Sequence, residues 1–202
     1  MIKIIKQTTR VFRSVILKET HVDYKANLRS FIGTFIGVGL IVFVQKDILS
    51  KNDHFFLIAP LGASGVLLYG APQSPFAQPR NLIGGHLISA LIGVTIQQIL
   101  PNTPLIAAPL AVSSSILFMQ ITRTLHPPGG ATALIAIIGS KKVKLLGYMF
   151  IVNPVLTGAL VLLFVALIIN NLTSDKQYPT DGSFTLFLKR VFPKSKKDSF
   201  SK

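Results

Sequence analysis

Four stretches of the chain stay apolar for the length of a bilayer crossing: Leu28 to Val44, Leu82 to Leu100, Pro104 to Thr122 and Leu145 to Asn170. About 20 apolar residues suffice to span the hydrocarbon as a helix. Two shorter stretches, Phe55 to Ala71 and Ala131 to Gly139, are interrupted or preceded by glycine and proline. The pattern predicts an all-α membrane protein with four full transmembrane helices and two short Pro/Gly-led helices, broken or re-entrant. Ahead of the first span, Lys3, Lys6, Arg10 and Arg13 recur at helical spacing beside Ile5, Phe12 and Ile16. Residues 1–27 therefore read as a basic amphipathic segment lying in the interface. Residues 28–171 form the transmembrane domain, and residues 172–202 a basic tail with one short helix over 184–191.

The chain repeats itself. The segment from Pro60 reads PLGASGVLLYGA and that from Pro128 reads PGGATALIAIIG, 68 residues later. The same offset places Ile88–Ile92 on Leu156–Leu160, and the first apolar segment matches the fourth of the six. Each half reads long span, short Pro-Gly-led segment, long span, an arrangement of many secondary transporters, whose sites lie at the repeat interface.

Composition adds the sign of the charge. Of 202 residues, 50% are hydrophobic and 14% charged, with a net charge of +14. Soluble domains carry roughly a quarter charged residues. The basic residues concentrate in the two tails, as the positive-inside rule and attraction to anionic lipid require, rather than in a nucleic-acid-binding surface. Both tails are thus expected in the cytoplasm, with a bacterial inner membrane the expected home. Between His54 and Ser174 there is no Asp or Glu, while Arg80, Arg123, Lys141, Lys142, Lys144, His86 and His126 remain. Ionisable groups inside a membrane mark cavities and pathways. A path with basic groups and no carboxylate suits a small anion better than a metal cation.

The first turn of a helix offers free N–H groups and a partial positive charge, hence an anion site. Two such starts, at Gly62, Ala63 and Ser64 and at Gly129, Gly130, Ala131 and Thr132, are predicted to face each other at mid-membrane. The alternative is that these small residues merely allow tight helix packing. Asn81 and Arg80 precede the third apolar segment, and His86 lies inside it. His86 bonds either a backbone carbonyl freed by a helix break, the reading the sequence slightly favours, or the solute. Asn153, beside Pro154, either binds solute or satisfies a kinked backbone. Arg123, three residues before His126, shares a face with it if the helix continues, forming an anion vestibule or snorkelling to the interface. His126 offers a hydrogen bond or a proton to the anion, or caps a carbonyl.

His126, Pro127 and Pro128, followed by Gly129-Gly130-Ala131-Thr132, sit between two apolar segments, where a Pro pair forbids a continuous helix. This motif resembles the HPP family of integral membrane proteins, as do the stretches Ala59–Ser64 and Gln78–His86. The resemblance covers roughly Leu28 to Asn170. It implies a small multi-pass membrane protein with a role in transport, and plant chloroplast members of the family are associated with nitrite.

An enzyme is not expected. No carboxylate stands near Ser64, Ser89 or Ser113–Ser115 to complete a nucleophilic triad, and there is no Gly-Lys-Ser/Thr phosphate loop. The chain has no cysteine, and scattered histidines make a poor metal site. No cofactor is expected, and a homo-oligomer is left open. The functional expectation is membrane transport of a small inorganic anion, nitrite first. The rivals are a non-transporting assembly or lipid-interaction subunit, and a carrier of a neutral polar solute.

Overall fold

The structure, a computed structural model, describes residues 23–46, 59–172, 177–182 and 186. The amphipathic segment expected before the first span and the short helix expected over 184–191 lie outside the described residues, Leu186 apart.

Four helices are long and apolar enough to cross a membrane. Helix α1 is Tyr24–Gln45, α3 is Pro79–Ile99, α4 is Pro104–Ile121, and α7 runs over Ile151–Ile169. Between them lie the short elements. Helix α2 covers residues 59–70, closing in a π-helical turn over Val66–Gly70, and α5 is Pro127–Ile138. Helix α6, Lys141–Leu145, carries the lysine cluster. Among the described residues there is no strand. The order long, short, long therefore occurs twice, as α1–α2–α3 and α4–α5–α7. At 12 residues, α5 is about 18 Å long, too short to cross some 30 Å of hydrocarbon alone.

Local chemistry sets the boundaries. Asp23 caps α1 by accepting from the N–H groups of Lys25 and Ala26. Helices α3, α4 and α5 each begin with proline, which lacks the N–H that would go unpaired there. The last span starts later than its apolar pattern suggests. Gly147 takes φ 51° after α6, and helical backbone resumes at Met149, running into the π-helical turn Ile151–Leu156.

Helix α5 lies against α3 and α4, and α1 lies against α7. The α3–α5 crossing is close because small residues line it. A Cβ on Gly93 would stand 2.7 Å from the Ala133 carbonyl oxygen and 2.9 Å from Ala136 Cβ. Ala107 and Ala111 of α4 bury against Ala133 and Ile137 of α5. On the other side, Tyr69 from the π turn fills the space left by Gly33 and Gly37 of α1, and its hydroxyl donates to the Leu162 carbonyl at 3.1 Å. The outer faces of α1 and α4 stay apolar and exposed, with Phe31, Phe35 and Phe43 on one and Leu105, Leu117 and Ile121 on the other. This is the surface a bilayer solvates.

Carbonyls released by the two π turns find side chains rather than lipid, as a membrane interior requires. Ser30 donates to Tyr69 O at 2.6 Å and Asn170 to Leu68 O at 2.9 Å. At the α7 break, where Asn153 leaves helical geometry, Gln45 reaches from α1 to Pro154 O at 2.8 Å.

Candidate functional site

Where α2, α3 and α5 meet, four polar side chains touch in sequence. Ser64 of α2 places its hydroxyl 2.8 Å from Nε2 of His86 and 2.8 Å from Nε2 of His126. His86 uses its other nitrogen, Nδ1, on the Thr132 hydroxyl at 2.7 Å. His126 uses Nδ1 on the Phe76 carbonyl at 2.8 Å, in the loop between α2 and α3. The two imidazoles stand 4.9 Å apart between centroids, and all four side chains are buried.

Local structure explains the meeting. Pro60 and Pro127 each lead a helix, so Ser64 and Thr132 fall one turn inside. Ser64 and Thr132 are repeat mates, 68 residues apart, and His86 bridges them with its two ring nitrogens. His126 is the residue before the first turn of α5, in extended geometry with φ −136°. Gly85 and Gly129 make room for this: a Cβ on Gly85 would collide with His126 Cβ, and one on Gly129 would lie 2.7 Å from Ser89 Oγ.

Beside His86 and Thr132 is a cavity of about 10 Å³, walled by Pro60 and Leu61 of α2, Ile135 of α5, and Phe150, Pro154 and Val155. That volume is at the lower limit for one water molecule, and the wall is almost wholly apolar. Pro154 is the repeat mate of His86, so both halves contribute equivalent positions to one cavity.

The other sequence candidates are distributed as follows. Gly62 and Gly130, also repeat mates, are half-buried, and their Cβ positions are open: no described atom lies within 4 Å of the first, and Val112 Cγ1 is 3.7 Å from the second. Ala63 and Pro127 face outward, Ala131 is half-buried and Pro128 is buried. Asn81 donates to the Leu125 carbonyl at 2.8 Å and Arg80 to the Thr122 carbonyl at 3.1 Å, so both tie α3 to the end of α4. Asn153 accepts from the Thr157 hydroxyl at 3.1 Å, at the kink rather than in the cluster.

Arg123 is not on a helix continuing toward His126. Helix α4 ends at Ile121, Arg123 takes φ 56°, and the N–H groups of Arg123 and Thr124 return to Gln120 O and Met119 O. This is a Schellman stop with arginine where glycine is usual. His86 likewise bonds two hydroxyls instead of a carbonyl. Sequence reading missed the Phe76 carbonyl, which carries no side-chain signal, and Gln45, whose signal was an amide at the end of an apolar run.

The left-handed conformation costs a non-glycine residue about 1 kcal/mol. Arg123→Gly is therefore expected to raise the melting temperature in detergent; an unchanged or lower value would mean that arginine does not strain this stop.

The arrangement of His126, Pro127 and Pro128 at the mouth of a short helix falls within a region, residues 19–179, that matches the family model described as HPP, transmembrane region. The chain belongs to the HPP transmembrane family. Two Dictyostelium discoideum proteins, each described as a transmembrane protein, are similar to it. One is 40% identical over 153 residues, covering 74% of this chain and 49% of the relative. The other is 41% identical over 153 residues, covering 74% of this chain and 53% of the relative. The chain thus spans about half the length of the curated relatives it matches. No solved structure matches. In this HPP domain the first residue of the name-giving tripeptide is the buried His126, and the third, Pro128, is the repeat mate of Pro60.

Proposed function

We propose that this integral membrane protein transports a small inorganic anion, nitrite first, between the starts of its two short helices. The observation that carries the reading is the buried cluster itself: the repeat mates Ser64 and Thr132, one turn inside the two short helices, are joined through His86 in a carboxylate-free core. Arg80 and Arg123, exposed at one end, supply attractive potential, and the Ser64 and Thr132 hydroxyls, bonded to the histidines here, become donors to an anion once the helices part. No fixed cation stands beside the site, so a bound anion can leave again. The present cavity, about 10 Å³, is too small for a three-atom anion. Passage therefore requires α2 and α5 to part, which would separate Ser64 from His126.

The basic tails are proposed to face the cytoplasm and to meet anionic lipid. The reading assigns no catalytic step, cofactor or nucleic acid to the domain. The test is entry of nitrite, against chloride, nitrate and formate, into vesicles holding the purified protein, with empty vesicles as reference. Selective anion entry supports the proposal. Entry of none of them in vesicles shown to contain folded protein would sink it and favour a neutral solute or a non-transporting membrane subunit.

A further inference from the structure

The hydrogen bonds of the buried cluster take their direction from one atom and from the distances. The Phe76 carbonyl only accepts, so the proton of a neutral His126 sits on Nδ1 and its Nε2 must accept. Ser64 has one hydroxyl proton and two acceptors in reach, Pro60 O at 3.0 Å and His126 Nε2 at 2.8 Å. The shorter contact goes to a nitrogen with no other donor, so Ser64 donates to His126 Nε2 and accepts from His86 Nε2–H. His86 Nδ1 is left as the acceptor for the Thr132 hydroxyl. The chain Thr132, His86, Ser64, His126, Phe76 O is thus fully paired and points one way, from the cavity toward the loop.

A second state is paired equally well. A proton delivered to Thr132 Oγ1 when α2 and α5 part and water reaches the cavity displaces the Thr132 proton onto His86 Nδ1. The His86 Nε2 proton passes to Ser64 Oγ, and the Ser64 proton to His126 Nε2. One proton enters, both O–H bonds are re-formed, and His86 now carries its proton on Nδ1 with Nε2 bare to accept from Ser64. The positive charge rests on His126 with its Nε2–H donating to Ser64. The Phe76 carbonyl cannot carry a proton onward, so the charge stops there. The Pro60 carbonyl, 3.0 Å from Ser64 Oγ, gives that hydroxyl another acceptor once His126 Nε2 is protonated.

Among the described residues, the groups facing the pair leave nothing else to neutralise that charge. Ser64 comes from α2, Thr132 from α5, the Phe76 carbonyl from the loop, and Pro154 closes the cavity from the α7 side. Beyond them, Tyr178 donates to Ala77 O, Asn81 is bonded to Leu125 O, and Arg80 turns to Thr122 O. No carboxylate exists between His54 and Ser174. A cation on His126 also sits at the positive end of α5, where it is disfavoured alone and offset by an anion. The rings, 4.9 Å apart, make a second proton repel the first.

We propose that Thr132, His86, Ser64 and His126 form a relay that loads one proton onto His126 for each monovalent anion bound at the helix starts, making transport electroneutral. This rests on the anion reading above.

Two measurements test it. In vesicles containing a pH-sensitive dye, with the potential set by potassium and valinomycin, nitrite or nitrate entry is expected to bring in one proton per anion at a rate independent of potential. Ser64→Ala is expected to lose uptake driven by an imposed proton gradient. Anion entry that carries current and no protons would overturn the coupling and leave the transport reading standing. No anion entry at all would overturn both. The relay itself is read separately by 15N NMR of histidine in otherwise native protein carrying His21→Asn and His54→Asn. The expected neutral forms are Nδ1–H on His126 and Nε2–H on His86. The same tautomer on both rings would overturn the relay whatever the flux shows.

Discussion

Gly93→Leu is expected to destabilise the protein severely. A Cβ at that position would stand 2.7 Å from the Ala133 carbonyl oxygen and 2.9 Å from Ala133 Cα, both backbone atoms that cannot swing aside. Even alanine forces α3 and α5 apart, and leucine adds three carbons more. Overpacking of this kind destabilises by about 3 kcal/mol, a large share of a margin of about 5–15 kcal/mol. The damage would also reach the cluster, since α3 carries His86 and α5 carries Thr132. Melting in detergent, followed by size-exclusion profile, measures it. Gly39→Ala is the comparison, because no described atom lies within 4 Å of a Cβ there. Gly93→Leu as stable as Gly39→Ala would mean that α3 and α5 are not in contact at this crossing.

The spans were legible because length and apolarity suffice to define them. Leu82 to Leu100 and Pro104 to Thr122 fall within three residues of α3 and α4 at either end. The short helices were legible through Pro60 and the Pro127-Pro128 pair, since proline at a helix start is a local constraint. The repeat was legible as well, and it aligned Ser64 with Thr132 before any geometry was known. What joins them was not. His86 lies 22 residues from Ser64 and 46 from Thr132, and nothing in its neighbours names those partners. The stop at Arg123 was hidden because arginine is an ordinary helix former, and backbone bonds to Gln120 and Met119 impose the turn. The role of Gly129 also required the fold: beside Ser89, Gly85 and Met119 it serves helix packing.

That distinction decides where a substitution reports on transport. Replacing Gly129 would break the α3–α5 contact, and lost flux would say nothing about an anion. Gly130, one residue on, meets only Val112 Cγ1 at 3.7 Å, an ordinary contact for an added Cβ. Its repeat mate Gly62 has no described atom within 4 Å. Glycine costs a helix about 1 kcal/mol relative to alanine, and packing against described atoms does not require it at either place. What both positions leave open is space beside the turn that carries Ser64 or Thr132. Gly130→Val is therefore expected to insert and fold as the native protein does while nitrite entry falls to that of empty vesicles. Gly62→Val should do the same if the halves contribute equally. Gly130→Ala, which adds a single methyl group, should retain part of the flux. Full-rate entry through Gly130→Val would place the anion elsewhere, because the two branches of valine would then stand where the path is proposed to run.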